Sequence, residues 1–112
     1  MAKYFSREEV YETLRDYVQY DPNQRRTGAL KYTYQNKGVY FGQWKGGFRD
    51  GWGIMKWKDG SNYKGQWVLG WAHGQGEFHD KLGNVYEGPF YMSMAHGDNG
   101  TYVNTFGDVY KG

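Results

Sequence analysis

From about residue 38 to residue 112 the chain alternates large apolar and polar positions with a period of two, and the alternation itself recurs. Tyr40, Gly42 and Trp44 are spaced Tyr-x-Gly-x-Trp; Tyr63, Gly65 and Trp67 repeat this, and Tyr86, Gly88 and Phe90 repeat it with Phe in the last place. The copies start 23 residues apart. Each runs on to a glycine pair (Gly51 and Gly53, Gly74 and Gly76, Gly97 and Gly100), and seven residues later comes a further glycine, at Gly60, Gly83 and Gly107. Tyr110 and Gly112 open another copy. Upstream, Gly28 to Tyr32 matches Gly53 to Trp57, so residues 28–39 read as a partial earlier copy whose Gly38 implies a longer turn. The repeats therefore divide as 28–39, 40–62, 63–85, 86–109 and 110–112.

A period of two puts Tyr, Gly and Trp of each copy on one strand face and polar residues mostly on the other. Each glycine opens a gap that a ring from a neighbouring strand covers. The returning strand adds Leu30, Met55, Phe78 and Tyr102 to the same face, and segments 45–51 and 68–74 carry glycines suited to positive φ. One hairpin cannot bury its own aromatic face, so neighbours must stack. The fold class is mainly β: tandem antiparallel hairpins forming an elongated, twisted single-sheet ribbon. Seven or eight strands at about 4.8 Å each make it roughly 35 Å long. One face is expected to be aromatic and grooved, the other polar.

Residues 1–27 differ. The spacing predicts one short α-helix over 5–20, with Ser6 as N-cap, Glu9 completing a capping box, and Phe5 and Val10 as a hydrophobic staple. Val10, Leu14, Tyr17 and Val18 share a face with Tyr11 beside them, while Glu8, Glu12, Arg15 and Asp16 lie away from it. Asp21-Pro22 stops the helix. It is too short to persist alone and needs a surface, either capping one end of the ribbon or gripping a neighbour.

Tyr-x-Gly-x-Trp-x-x-Gly-x-x-x-Gly-x-Gly, as it stands in Tyr40–Gly53 and Tyr63–Gly76, resembles the membrane occupation and recognition nexus (MORN) repeat, and the likeness extends over residues 28–112. It implies an antiparallel ribbon acting as a scaffold, in a cytoskeletal, ciliary or membrane-junction setting or as a regulatory array attached to a lipid kinase. The third copy departs from the pattern: Phe90 replaces Trp, Pro89 removes a donor, Ser93 replaces a loop glycine, and one residue is added between Gly97 and Gly100. A local irregularity is expected at 89–100.

Composition sharpens this. Only 38% of residues are hydrophobic, but 21% are aromatic, including 12 Tyr, 5 Trp and 6 Phe, so rings rather than aliphatics must fill the core. There is no cysteine, hence no disulfide or thiolate metal site. No signal peptide or membrane-spanning run is visible, which points to an intracellular, cytoplasmic protein. Net charge is +2, and residues 39–112 carry as many acids as bases. That is a poor partner for nucleic acid. Arg25 and Arg26 are the candidate anionic contact, set against a solvated turn.

His73 and His96 share a repeat phase but sit about 10 Å apart along the ribbon, too far to share a metal, and His79 stands alone. No nucleophile elbow, zinc-binding helix or phosphate loop is present, so no catalytic residue and no cofactor is assigned. The candidate partner-binding residues are Tyr40, Trp44, Trp52, Trp57, Tyr63, Trp67, Trp71, Tyr86 and Phe90. Trp52 and Trp71 lead because they fall in loops outside the repeating face. The functional expectation is a non-enzymatic scaffold binding other proteins through the aromatic groove. Peripheral binding to anionic phospholipid and a regulatory array of a larger enzyme are the other readings. An unfinished copy at 110–112 implies a longer protein or an edge open to strand addition, including self-association.

Overall fold

The structure, a computed structural model, describes residues 4–16, 26–95, 97 and 99–112. Among the described residues one helix, α1 (Arg7–Asp16), precedes nine strands: β1 (Leu30–Thr33), β2 (Val39–Lys45), β3 (Phe48–Lys56), β4 (Asn62–Val68), β5 (Trp71–His79), β6 (Val85–Tyr91), β7 (Met94–Ala95), β8 (Thr101–Val103) and β9 (Val109–Lys111). All pair antiparallel with chain neighbours in one open sheet, β6 pairing first with β7 and then with β8. The molecule measures 45 × 26 × 22 Å. This is the expected single-sheet ribbon.

Two kinds of turn alternate along it. The tight turns, Gly46-Gly47, Leu69-Gly70 and Met92-Ser93, join each Tyr-Gly strand to its return strand. Leu69 and Gly70 both have positive φ, 47° and 91°, the backbone that matches the twist of flanking strands. Longer turns close at Tyr34–Gly38, Trp57–Ser61, Asp80–Asn84 and Asn104–Asp108, each with the same pair of backbone hydrogen bonds. The partial copy at 28–39 thus has a turn of ordinary length. The register corrects its alignment: Leu30 faces Gly42 as Gly53 does, and Tyr32 faces Tyr40 as Met55 does. Leu30 therefore takes the place of Gly53, two residues on from the match based on Gly28. Sequence identity over a few residues was a weaker guide than pairing, because among the described residues β1 has a neighbour on only one side and a glycine there is not demanded.

The third copy breaks where expected. In the first two copies β3 and β5 run unbroken over nine residues each, whereas the corresponding strand splits into β7 and β8. Gln43 and Gln66 sit at bulges, and their side-chain Oε1 atoms accept from the backbone N–H of Trp52 (2.9 Å) and Gln75 (2.7 Å). Pro89 occupies the equivalent place and has no amide side chain to bridge to the next strand.

The described helix runs from Arg7 to Asp16, and Tyr17, Val18 and the Asp21-Pro22 stop lie outside the described residues. Ser6 does cap, its Oγ accepting from Glu9 N–H at 3.4 Å. Glu9 does not reciprocate, because its carboxylate is turned into the ribbon.

Candidate functional site

The aromatic face is built in rows. Gly42, Gly53, Gly65, Gly76 and Gly88 stand opposite one another on successive strands, and Gly100 and Gly112 exchange backbone hydrogen bonds at 3.1 Å further along. The backbones here leave no room for side chains: a Cβ on Gly65 would come 2.5 Å from the Gly76 Cα. Tyr40 lies over Gly42 and Gly53, Tyr63 over Gly65 and Gly76, and Tyr86 over Gly88 and Gly100. Each hydroxyl reaches past its glycine to donate to a backbone carbonyl three residues on: Gln43 at 2.7 Å, Gln66 at 2.9 Å and Pro89 at 3.1 Å. The Tyr-x-Gly spacing thus puts the glycine where its own tyrosine needs space.

The rings then interlock edge to face, the arrangement their quadrupoles favour. Within copies, Tyr40 meets Trp44 at 4.8 Å, Tyr63 meets Trp67 at 5.1 Å and Tyr86 meets Phe90 at 5.3 Å. Between copies, Tyr40 meets Trp67 at 5.4 Å and Tyr63 meets Phe90 at 5.0 Å. Burial pushes the hydroxyls of Tyr34, Tyr40 and Tyr63 well above the ordinary tyrosine range, with Arg49 pulling Tyr34 and Tyr40 back and a backbone hydrogen bond at Gln66 pulling Tyr63 back.

The groove is occupied by the chain itself. Phe5 inserts among Trp57, Tyr63, Trp67 and Phe78, with ring centroids 5.0, 5.6, 5.8 and 6.2 Å away. Tyr4 packs on Trp57 and donates its hydroxyl to Asp59 at 2.6 Å. Val10 lies on Gly70, and Thr13 and Leu14 lie on Gly47, in two of the tight turns, so the helix packs on turns as well as on strands. Glu12 accepts from the Tyr32 hydroxyl at 2.9 Å and from Gln35 N–H at 3.1 Å. The helix therefore covers the groove, rather than capping an end; its inward residues are Glu9, Val10 and Thr13, with Phe5 entering just before it. Tyr11 points to solvent and Glu12 does not lie away from the ribbon.

Among the candidate partner-binding residues, Tyr40, Trp44, Trp57, Tyr63, Trp67 and Phe90 are all buried in this core, and Tyr86 and Trp71 pack against it partly buried. Neither Trp52 nor Trp71 is in a loop. Trp71 begins β5, and Trp52 lies within β3 on the opposite face, half exposed. That face is not uniformly polar. Lys31, Phe41, Ile54, Lys64, Glu77, Glu87, Thr101 and Lys111 form one row across it, and Val39, Phe41 and Ile54 line a shallow apolar groove flanked by Lys31 and Lys56. Arg26 donates from Nε to the buried Asp50 at 2.6 Å, and Arg25 lies outside the described residues.

His73 belongs to β5 and stacks near Tyr91 at 5.2 Å, His79 pairs with Glu77, and His96 lies outside the described residues. Among the described residues, no three His, Asp or Glu side chains converge as metal ligands, and no helix is long and apolar enough to cross a membrane.

Sequence reasoning missed Glu9 and Arg49, both almost wholly buried. Arg49 Nη1 donates to Glu9 Oε1 at 2.9 Å, Trp57 Nε1 and Asn36 Nδ2 each donate to Glu9 Oε2 at 2.9 Å, and Arg49 Nη2 donates to the Gly70 carbonyl at 2.6 Å. The guanidinium also lies 4.5 Å from the Trp67 ring centre. A signal existed: Arg49 occupies the repeat position that holds Ala72 and Ala95 in the next two copies, and Glu9 falls midway between Phe5 and Thr13 at helical spacing.

In comparisons with known proteins, neither a family model nor a curated protein matches this chain.

Proposed function

We propose that the chain is a non-enzymatic scaffold that binds partner proteins through its β-ribbon, in a cytoskeletal or axonemal assembly, as the resemblance of its repeats to MORN repeats implies. The observation that supports this reading is the end of the ring row. Tyr102 and Tyr110 continue the row of Tyr40, Tyr63 and Tyr86, with centroids 6.0 Å apart, and both are exposed. Met94 and Phe106 are exposed in the same C-terminal third. Adjacent uncovered rings such as Tyr102 and Tyr110 mark interaction sites. Beside it β9 pairs, among the described residues, with β8 alone, which suits strand addition.

Affinity capture from a lysate, comparing the full chain with a Tyr102→Ser/Tyr110→Ser variant, tests it. A stoichiometric protein retained by the first and lost by the second is the expected result. Recovery of none, with a monodisperse monomer, defeats it.

One feature favours a peripheral-membrane reading: Lys31 and Lys56 flank the apolar groove of Phe41 and Ile54, pairing cations with insertable side chains. Co-sedimentation with anionic vesicles that falls with salt, and is absent with neutral vesicles, would move the assignment to lipid.

A further inference from the structure

The Glu9 site is built by the ribbon for a group the ribbon does not own. Arg49 comes from β3, Trp57 follows it, and Asn36 lies in the turn between β1 and β2; their donors converge on one carboxylate that is 2% exposed. Arg49 has further ribbon contacts, the Gly70 carbonyl and the Trp67 ring, which hold its guanidinium in place. Four residues before Glu9, just ahead of the Ser6 cap, Phe5 fills a pocket of four rings. Two side chains that bracket the start of α1 thus enter two ribbon pockets of different chemistry: one apolar, one cationic and hydrogen-bonding.

What carries them is weakly self-supporting. The described part of α1 has ten residues, a length that does not persist as an isolated helix, and its Ser6 cap is long at 3.4 Å. The desolvation of Glu9 and Arg49 offsets much of their attraction, so the pair selects a ligand more than it tightens one. α1 relates to the ribbon as a peptide relates to its groove.

We propose that this groove is a receptor for a helix start bearing an aromatic residue just before its N-cap and, four positions later, a glutamate in its first turn, and that Phe5 with α1 is its resident occupant, which a partner segment with the same two anchors displaces. This site shares no residue with the C-terminal surface around Tyr102 and Tyr110, so the two readings stand or fall separately.

The probe is a labelled peptide of residues 4–16, followed by fluorescence anisotropy on the full chain. Tethered α1 competes in the wild-type chain at an effective concentration of order millimolar. A full-length Phe5→Ala/Glu9→Ala variant, with its own helix weakened, takes up the peptide at least about tenfold more tightly than wild type does. A Glu9→Gln peptide binds that variant about tenfold more weakly than the native peptide, having lost the charge-assisted bonds. A variant that keeps its tryptophan near-ultraviolet signal yet takes up no peptide overturns the proposal, as does equal uptake of both peptides. Hydrogen exchange on the wild-type chain decides the matter if the variant fails to fold. α1 amides must exchange through an opening that leaves β3 to β5 protected; exchange of α1 only together with those strands makes the helix an inseparable part of the core and sinks the idea.

Discussion

Gly76 shows how little freedom the repeat leaves at single positions. It sits under the Tyr63 hydroxyl and against Gly65, so the added methyl of Gly76→Ala must displace a buried ring that is held by its own hydrogen bond. Overpacking of this kind costs about 1–3 kcal/mol. Gly28→Ala, where a Cβ meets nothing within 4 Å, is expected to stay within about 0.5 kcal/mol of wild type. Urea unfolding of both variants gives the comparison, and equal midpoints would remove the glycine row from the account of the fold. The tyrosines above that row make a second prediction. Burial raises the Tyr34, Tyr40 and Tyr63 hydroxyls, so the folded state holds protons that the unfolded state releases near pH 10. Their contribution to stability is complete below that pH and is lost as pH rises toward the folded-state values. Melting temperature should fall above about pH 10, with part of the tyrosinate absorbance at 295 nm appearing only together with unfolding. Smooth titration of all twelve tyrosines ahead of unfolding would contradict the burial.

At the scale of elements, each hairpin copies the one before it because the same spacing meets the same neighbour. Adjacent hairpins are tied at their tips as well: Gly70 N–H donates to the Arg49 carbonyl at 2.8 Å and Ser93 N–H to the Ala72 carbonyl at 2.7 Å. Ser93 departs from the loop glycine yet keeps the link, and its hydroxyl accepts from Ala72 N–H at 3.0 Å. The hairpins were legible in the sequence because their signals are local and recur in phase. The docking of α1 was not, since a short amphipathic pattern over 5–20 shows that a helix needs a surface without showing which one. Arg49→Met strips Glu9 of its cation and leaves the carboxylate with two neutral donors. Breaking a buried pair costs about 3–5 kcal/mol when nothing can move; here α1 can leave the groove, which caps the loss. The helical far-ultraviolet signal should therefore fall while the sheet keeps its cooperative transition, and Glu9→Leu added to Arg49→Met should restore much of the docking. Additive losses in that double-mutant cycle would mean that the two side chains are not coupled.

For the whole molecule, pairing only between neighbours makes stability a chain of local terms, as in other repeat architectures. The first strands gain a second layer from α1, whereas β8 and β9 are three residues each and carry exposed rings. Native-state hydrogen exchange should accordingly show protection highest in β3 to β5 and lowest in β8 and β9. Uniform protection along the ribbon would indicate a single cooperative unit instead.

The sequence by itself determined the repeating hairpins, their alternating faces and the break in the third copy, but it drew the turns at 45–51 and 68–74 too wide, since β3 begins at Phe48 and β5 at Trp71. The first three follow from spacing and from where glycine or proline stands in the chain. It also marked Tyr40, Trp44, Tyr63, Trp67 and Phe90 as inward-facing, but not whether another protein or the chain itself covers them, because burial depends on what lies opposite. Only the tertiary structure decided that α1 does so, that Leu30 rather than Gly28 takes the glycine place in β1, and that a glutamate and an arginine 40 residues apart meet in the core. Those are non-local facts. A lone charge reads as solvated in sequence, and it can be buried only where a partner of opposite sign and enough hydrogen bonds arrive together.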